Sequence, residues 1–101
     1  MSEFKVKINA AAKIDIQDGI KWYNSKLQGL GVSFHQEVKK TIEAIRSIKS
    51  FQVRYGEVRC LPVRRFPFMI HYTVDEAKKR IVVRAVFHTG MDPNQWKKRK
   101  S

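Results

Sequence analysis

Phe68-Met-Ile-His-Tyr-Thr-Val-Asp75, then Glu76-Ala-Lys-Lys79, then Arg80-Ile-Val-Val-Arg-Ala-Val-Phe-His88 is the stretch that decides the fold. Phe68, Ile70, Tyr72 and Val74 alternate with smaller or polar residues, the two-residue period of a strand with one buried face. Arg80–His88 is rich in Ile and Val, side chains that suit a pleated sheet. Asp75 to Lys79 is polar and short, and reads as the loop of a hairpin. Phe87 alternates inward with Ala85, His88 ends the strand, and His71 reads as a half-exposed position facing away from Tyr72.

Glu57 to Val63 gives a further strand signal before the hairpin. Pro62 and Pro67 lack an amide to donate to a ladder, so they belong at strand ends, bulges or edges. The three strands therefore make an antiparallel meander. From Ser50 to Gly56 the pattern is irregular and basic. Phe34, Val38, Ile42, Ile45 and Ile48 form one helical stripe, and Ser33 with Gln36 has the pattern of a capping box at its start. Ala12, Ile16, Ile20, Tyr23, Leu27 and Leu30 form another stripe, with Trp22 off it beside Asp15 and Asp18. Asn9 is placed to cap this first helix. Gly29 or Gly31 supplies the left-handed residue that ends it. The short link around Leu30 and Gly31 makes the two helices an antiparallel hairpin. Phe4, Val6 and Ile8 alternate with Lys5 and Lys7 as an opening strand. The sum is an α+β domain over residues 1–101: an N-terminal strand, a two-helix hairpin, and a three-stranded meander with the helices on one sheet face.

Charge is the first pointer to function. The chain has 21 Lys and Arg against 9 Asp and Glu, a net +12. Such a field attracts polyanions and acidic protein segments. The cations are clustered: Arg54, Arg59, Arg64 and Arg65 crowd one stretch, and Lys97, Lys98, Arg99 and Lys100 close the chain. No run approaches the roughly 20 apolar residues of a membrane span, and the N-terminus lacks a signal-peptide core, so a cytoplasmic location with no membrane partner is expected. Cys60 is the one cysteine and fits a reducing compartment. His35, His71 and His88 show no ligand spacing with it, so neither a metal nor a cofactor is expected.

Several segments, in order, carry a resemblance to a known family. They are Ala12-Lys-Ile-Asp-Ile16, Trp22-Tyr23, Gly29-Leu-Gly-Val-Ser-Phe34, Arg64-Arg-Phe-Pro-Phe-Met-Ile-His-Tyr72, Ile81-Val-Val-Arg-Ala-Val-Phe-His88 and Met91-Asp-Pro-Asn-Gln-Trp96. Over nearly its whole length the chain resembles the RelE/ParE toxin superfamily of type II toxin–antitoxin systems. The resemblance implies a growth-inhibiting toxin and a cognate antitoxin that wraps it with an extended segment. RelE-like members cut messenger RNA on the ribosome; ParE-like members poison DNA gyrase.

The two branches need different residues. An RNA-cleaving site must activate a 2′-hydroxyl, stabilise a crowded phosphate and protonate the leaving oxygen. Carried over by position, the two RelE-like lysines of the first meander strand fall on Cys60 and Pro62. The arginine of the next strand falls on Met69, the one past the last strand near Gly90 or Met91, and the terminal tyrosine on Trp96. Only Arg64 remains basic. A nuclease would then have to draw on Arg64, Arg59 and His88. His88-Thr-Gly-Met-Asp92 resembles the His-x-x-Met-Asp of some ParE-like toxins. The resemblance therefore implies a non-catalytic gyrase inhibitor ahead of a ribosome-dependent endoribonuclease. Expected target contacts are Arg59, Arg64, Arg65, His88, Met91, Trp96, Lys97, Lys98 and Arg99. Expected antitoxin contacts are Trp22, Arg54 and Arg59.

Overall fold

The computed structural model describes residues 4–47, 53–55 and 57–98. In chain order the elements are β1 (Lys5–Ile8), α1 (Ala10–Lys26), α2 (Leu30–Ser47), β2 (Val53–Tyr55), β3 (Val58–Pro62), β4 (Phe68–Asp75), β5 (Arg80–His88) and α3 (Pro93–Lys98). The strands form one sheet in the order β1-β5-β4-β3-β2. β1 lies parallel to β5, and the other pairs are antiparallel. The expected meander is present as β3–β4–β5.

Two elements go beyond the sequence reading. The segment read as irregular contains β2, which pairs with β3 through Val53↔Arg59 and Tyr55↔Val58 with a register shift between them. Three residues with a shifted register are too few for alternation to show. The tail forms α3, with Asp92 Oδ1 accepting from the Asn94 amide at 2.9 Å and Pro93 in the first helical position.

The helical hairpin forms as expected, with different ends. Asn9 caps α1, its Oδ1 accepting from the Ala12 amide at 3.0 Å. The helix stops at Lys26, Leu27 turns extended, and Gly29 takes a φ of 88°. Leu27 is therefore 64% exposed rather than part of the stripe. α2 starts at Leu30, so the link is 27–29, and Ser33 is not its cap. Ser33 lies inside the first turn, its amide bonded to the Gly29 carbonyl. The capping is done from the neighbouring helix: Asn24 Oδ1 accepts from the Gly31 amide at 2.8 Å.

Both helices bury their stripes on one sheet face. Ala12, Ile16, Phe34, Val38, Ile42 and Ile45 meet Ile70, Tyr72, Ile81, Val83 and Val86 in the core. Ile48 lies outside the described residues. Tyr23 is half-buried, packed by Phe34, Phe66 and Phe68 with ring centroids 4.9–6.1 Å apart.

A bulge divides β5. His71 pairs with Ala85 but Tyr72 pairs with Val83, which leaves Arg84 as the extra residue. The parity of the strand flips there. Ile81 and Val83 face the helices before the bulge, and Val86 faces them after it. Ala85 and Phe87 are buried as expected, but on the side of the sheet away from the helices. His71 and Cys60 join them, since Cys60↔His71↔Ala85 run in register across three strands. His71 is fully buried, not half-exposed. Its Nδ1 and Cys60 Sγ share a hydrogen bond at 3.4 Å, and its ring meets Phe87 at 5.0 Å.

Candidate functional site

The sequence-predicted basic residues do not all share one surface. Arg59 pairs with Tyr72 in register, so it lies on the helix side of β3 and is partly buried. Its charge acts on the Tyr72 phenol. Burial pushes that phenol up to about 12; Arg59 pulls it down and Cys60 pushes it up. Arg59 is thus a packed residue rather than an open phosphate binder.

Arg64 and Arg65 occupy the exposed turn between β3 and β4. Arg65 has a φ of 73°. Its guanidinium reaches Glu37 Oε2 at 3.8 Å, and Lys40 reaches the same oxygen at 3.9 Å. Glu37 is 8% exposed on α2, a buried carboxylate held by these cations. Arg64 lines the adjoining groove of about 360 Å³ between α2 and β3, with Glu37, Lys40, Thr41, Leu61 and Pro62. Glu37 and its groove were missed by the sequence reading, because an acidic residue on a helix otherwise reads as a solvated charge.

His88 and Met91 stand at the same end of the sheet as this turn. The Thr89 amide donates to the Pro67 carbonyl at 2.8 Å, tying the segment after β5 to the turn before β4. His88 is exposed, and its Nδ1 accepts from the Gly90 amide at 2.9 Å, which requires an unprotonated Nδ1. Its ring stands edge-on to Phe68 at 5.2 Å. Trp96, Lys97 and Lys98 belong to α3, and Arg54 to β2, by their backbones. Arg99 lies outside the described residues. Arg64, Arg65, His88 and Met91 are therefore brought to one end of the molecule, and Arg59 is not.

A second groove, of about 380 Å³, runs between α1 and the end of β5. Asp15, Asp18 and Trp22 form its helical wall, and Val86, His88 and Met91 lie opposite. Trp22 is 57% exposed, with the Lys26 ammonium 4.2 Å from its ring centre.

The positions that an RNA-cleaving site of the resembled kind would use hold little proton-transfer chemistry. Cys60 is buried and bonded to His71, Pro62 ends β3, and Met69 is half-buried opposite Phe87. Among the described residues, no group of three or more His, Cys, Asp or Glu is placed to hold a metal ion. No helix among them is long and apolar enough to cross a membrane.

No family model matches the chain, and no curated protein matches it. Solved structures do. A chain of the chromosomal ParDE TA system from P. aeruginosa is similar with a TM-score of 0.75 at 16% identity, covering 84% of this chain and 95% of that one. A double mutant of the E. coli toxin RelE in the free state gives 0.59 at 13% identity, covering 88% and 86%. The isolated E. coli RelE toxin gives 0.53 at 12% identity, covering 94% of each chain. At these identities the likeness is one of fold, and the fold of this chain is the one that ParE and RelE toxin structures share.

Proposed function

We propose that this chain is the toxin of a type II toxin–antitoxin module, and that it acts in the ParE manner, by trapping DNA gyrase rather than by cutting RNA. The antitoxin holds it inactive until needed. The observation that carries the ParE reading is the centre of the sheet. Where an RNA-cleaving relative places basic residues, this chain has the buried Cys60–His71 pair, Pro62 and Met69. A buried thiol and a proline neither bind phosphate nor move a proton to a leaving oxygen. The higher TM-score to the ParDE chain, 0.75 against 0.59 and 0.53, supports the same branch. Net charge of +12 suits a protein that docks on a nucleoprotein complex. Arg64, Arg65, His88 and Met91, gathered at one end, form the surface for that contact.

The test is DNA supercoiling by purified gyrase with the chain added. Loss of supercoiling with accumulation of cleaved DNA is the expected result. Unchanged supercoiling, together with new cuts in translated messages after induction, would replace this reading with the ribosome-dependent endoribonuclease.

A further inference from the structure

The groove between α1 and the end of β5 has a chemistry opposite to the rest of the molecule. The chain is strongly basic, with 9 acidic residues in all. Two of them, Asp15 and Asp18, stand one turn apart on the same groove wall. The floor is apolar, with Phe68 and Val86 among its lining. Trp22 stands beside them with its indole already carrying a cation, Lys26, at 4.2 Å. Trp22 and Ile14 are among the large apolar side chains left exposed, at 57% and 56%.

We infer that this groove seats a long cationic side chain, an arginine or lysine next to an apolar residue, on a segment of the protein that neutralises the chain. This deepens the antitoxin reading above and rests on it. Charge decides the occupant. An acidic segment suits the basic turn and tail but is repelled by Asp15 and Asp18. A second copy of this chain would bring together two bodies of +12 each. A basic side chain on an otherwise acidic partner meets neither objection. Its aliphatic stem lies over Val86 and Met91, its head reaches the carboxylate of Asp18, and the indole face of Trp22 offers a second cation contact. The partner thus carries a mixed pattern, acidic where it meets Arg64 and Arg65 and basic where it crosses α1. A toxin that must reject foreign antitoxins gains specificity from such a reversal, since like charges brought together there oppose docking.

Two arms test this. In the first, backbone amides of the whole chain are followed by NMR while the peptide acetyl-Leu-Ala-Ala-Arg-amide is added, with the glutamate analogue as control. Shifts at Gly19, Val86 and the Trp22 indole are expected with the arginine peptide, about tenfold weaker with the glutamate one, and lost in Asp18→Lys. Equal response to both peptides, or none, overturns the inference. In the second arm, the product of the adjacent reading frame is titrated against the chain. Asp18→Lys is expected to weaken that complex about tenfold or more, and Asp18→Asn by less. Asp18 is exposed, so neither change threatens the fold. A complex indifferent to Asp18→Lys sinks the groove assignment and leaves the toxin reading intact. No complex with the unaltered chain sinks the antitoxin reading itself, and the peptide arm then decides the groove alone. A self-associating chain that Asp18→Lys turns into a monomer would assign the groove to a second copy and overturn the proposal.

Discussion

The amide of Val86 donates to Asp15 Oδ2 at 3.0 Å, across 71 positions of sequence. The bond closes a gap that the topology opens. β1 pairs with β5 only as far as Ile8↔Val83, and the last contact on that edge is the Asn9 amide on the Val83 carbonyl. Beyond it β5 runs on without a strand neighbour on that side among the described residues. Asp15, one and a half turns into α1, supplies the acceptor instead. Asp15→Ala is expected to cost about 1–3 kcal/mol, because it leaves a partly buried amide without its charged acceptor. Urea denaturation measures it. A loss below about 0.5 kcal/mol would mean that water replaces the carboxylate at no cost.

At Gly31 the backbone of α2 comes close to that of α1. A Cβ there would stand 2.5 Å from the Ile20 carbonyl oxygen and 2.6 Å from the Asn24 side chain that caps α2. The obstacle at Ile20 is backbone, which moves only if the hairpin opens. Alanine is favoured over glycine in a helix by up to about 1 kcal/mol, and the clash must overcome that. Gly31→Ala is expected to destabilise by about 1–3 kcal/mol, read from the shift in thermal midpoint. At Gly29 a Cβ meets nothing within 4 Å, so alanine there bears only the strain of the left-handed φ, 88°. A Gly31→Ala chain as stable as the parent would refute the close approach.

Tyr72 links pH to stability at the alkaline end. Its folded-state phenol is raised from 10.0 to about 12, first by burial, with Arg59 opposing and Cys60 adding. The folded chain therefore keeps a proton that the unfolded chain gives up. The contribution is fully present below about pH 10 and is lost as pH rises toward about 12. Urea midpoints followed from about pH 8 to about pH 11 should fall more steeply in the parent than in Tyr72→Phe. Parallel curves would show that the phenol does not carry the dependence, whatever the offset between them.

β1, β3, β4, β5 and most of both helical stripes were legible because each has a period. Phe68, Ile70, Tyr72 and Val74 alternate, and β4 and β5 have the bounds that the pattern set. The bulge at Arg84 was not legible. It costs no change in composition, yet it moves Ala85 and Phe87 to the other side of the sheet and seals His71 beside Cys60. Caps reveal themselves from sequence only when they are local. Asn9 was found for that reason, whereas Asn24 caps a different helix and Ser33 imitated a cap it does not make. The candidate site was legible as a set of charges and not as a place. Nothing in the spacing of Arg59 and Arg64 says that one packs beside a buried phenol and the other stands in solvent.

That difference makes the two arginines a matched pair of probes. Arg64 lies on an exposed turn, so Arg64→Ala should change stability by no more than about 0.5 kcal/mol. If the chain inhibits gyrase as proposed and the turn contacts it, the same change removes a charge-assisted contact, and inhibition should need about tenfold more protein. Arg59→Ala acts the other way. It takes a partly buried cation from the helix side of β3, beside Tyr72, so stability falls first and activity follows only through the folded fraction. Measuring midpoint and inhibition on both variants separates the roles. Activity lost with Arg59→Ala at unchanged stability would place the target contact on the middle of the sheet. Full activity in Arg64→Ala would remove the turn from the contact surface and leave His88, Met91 and the tail to carry it.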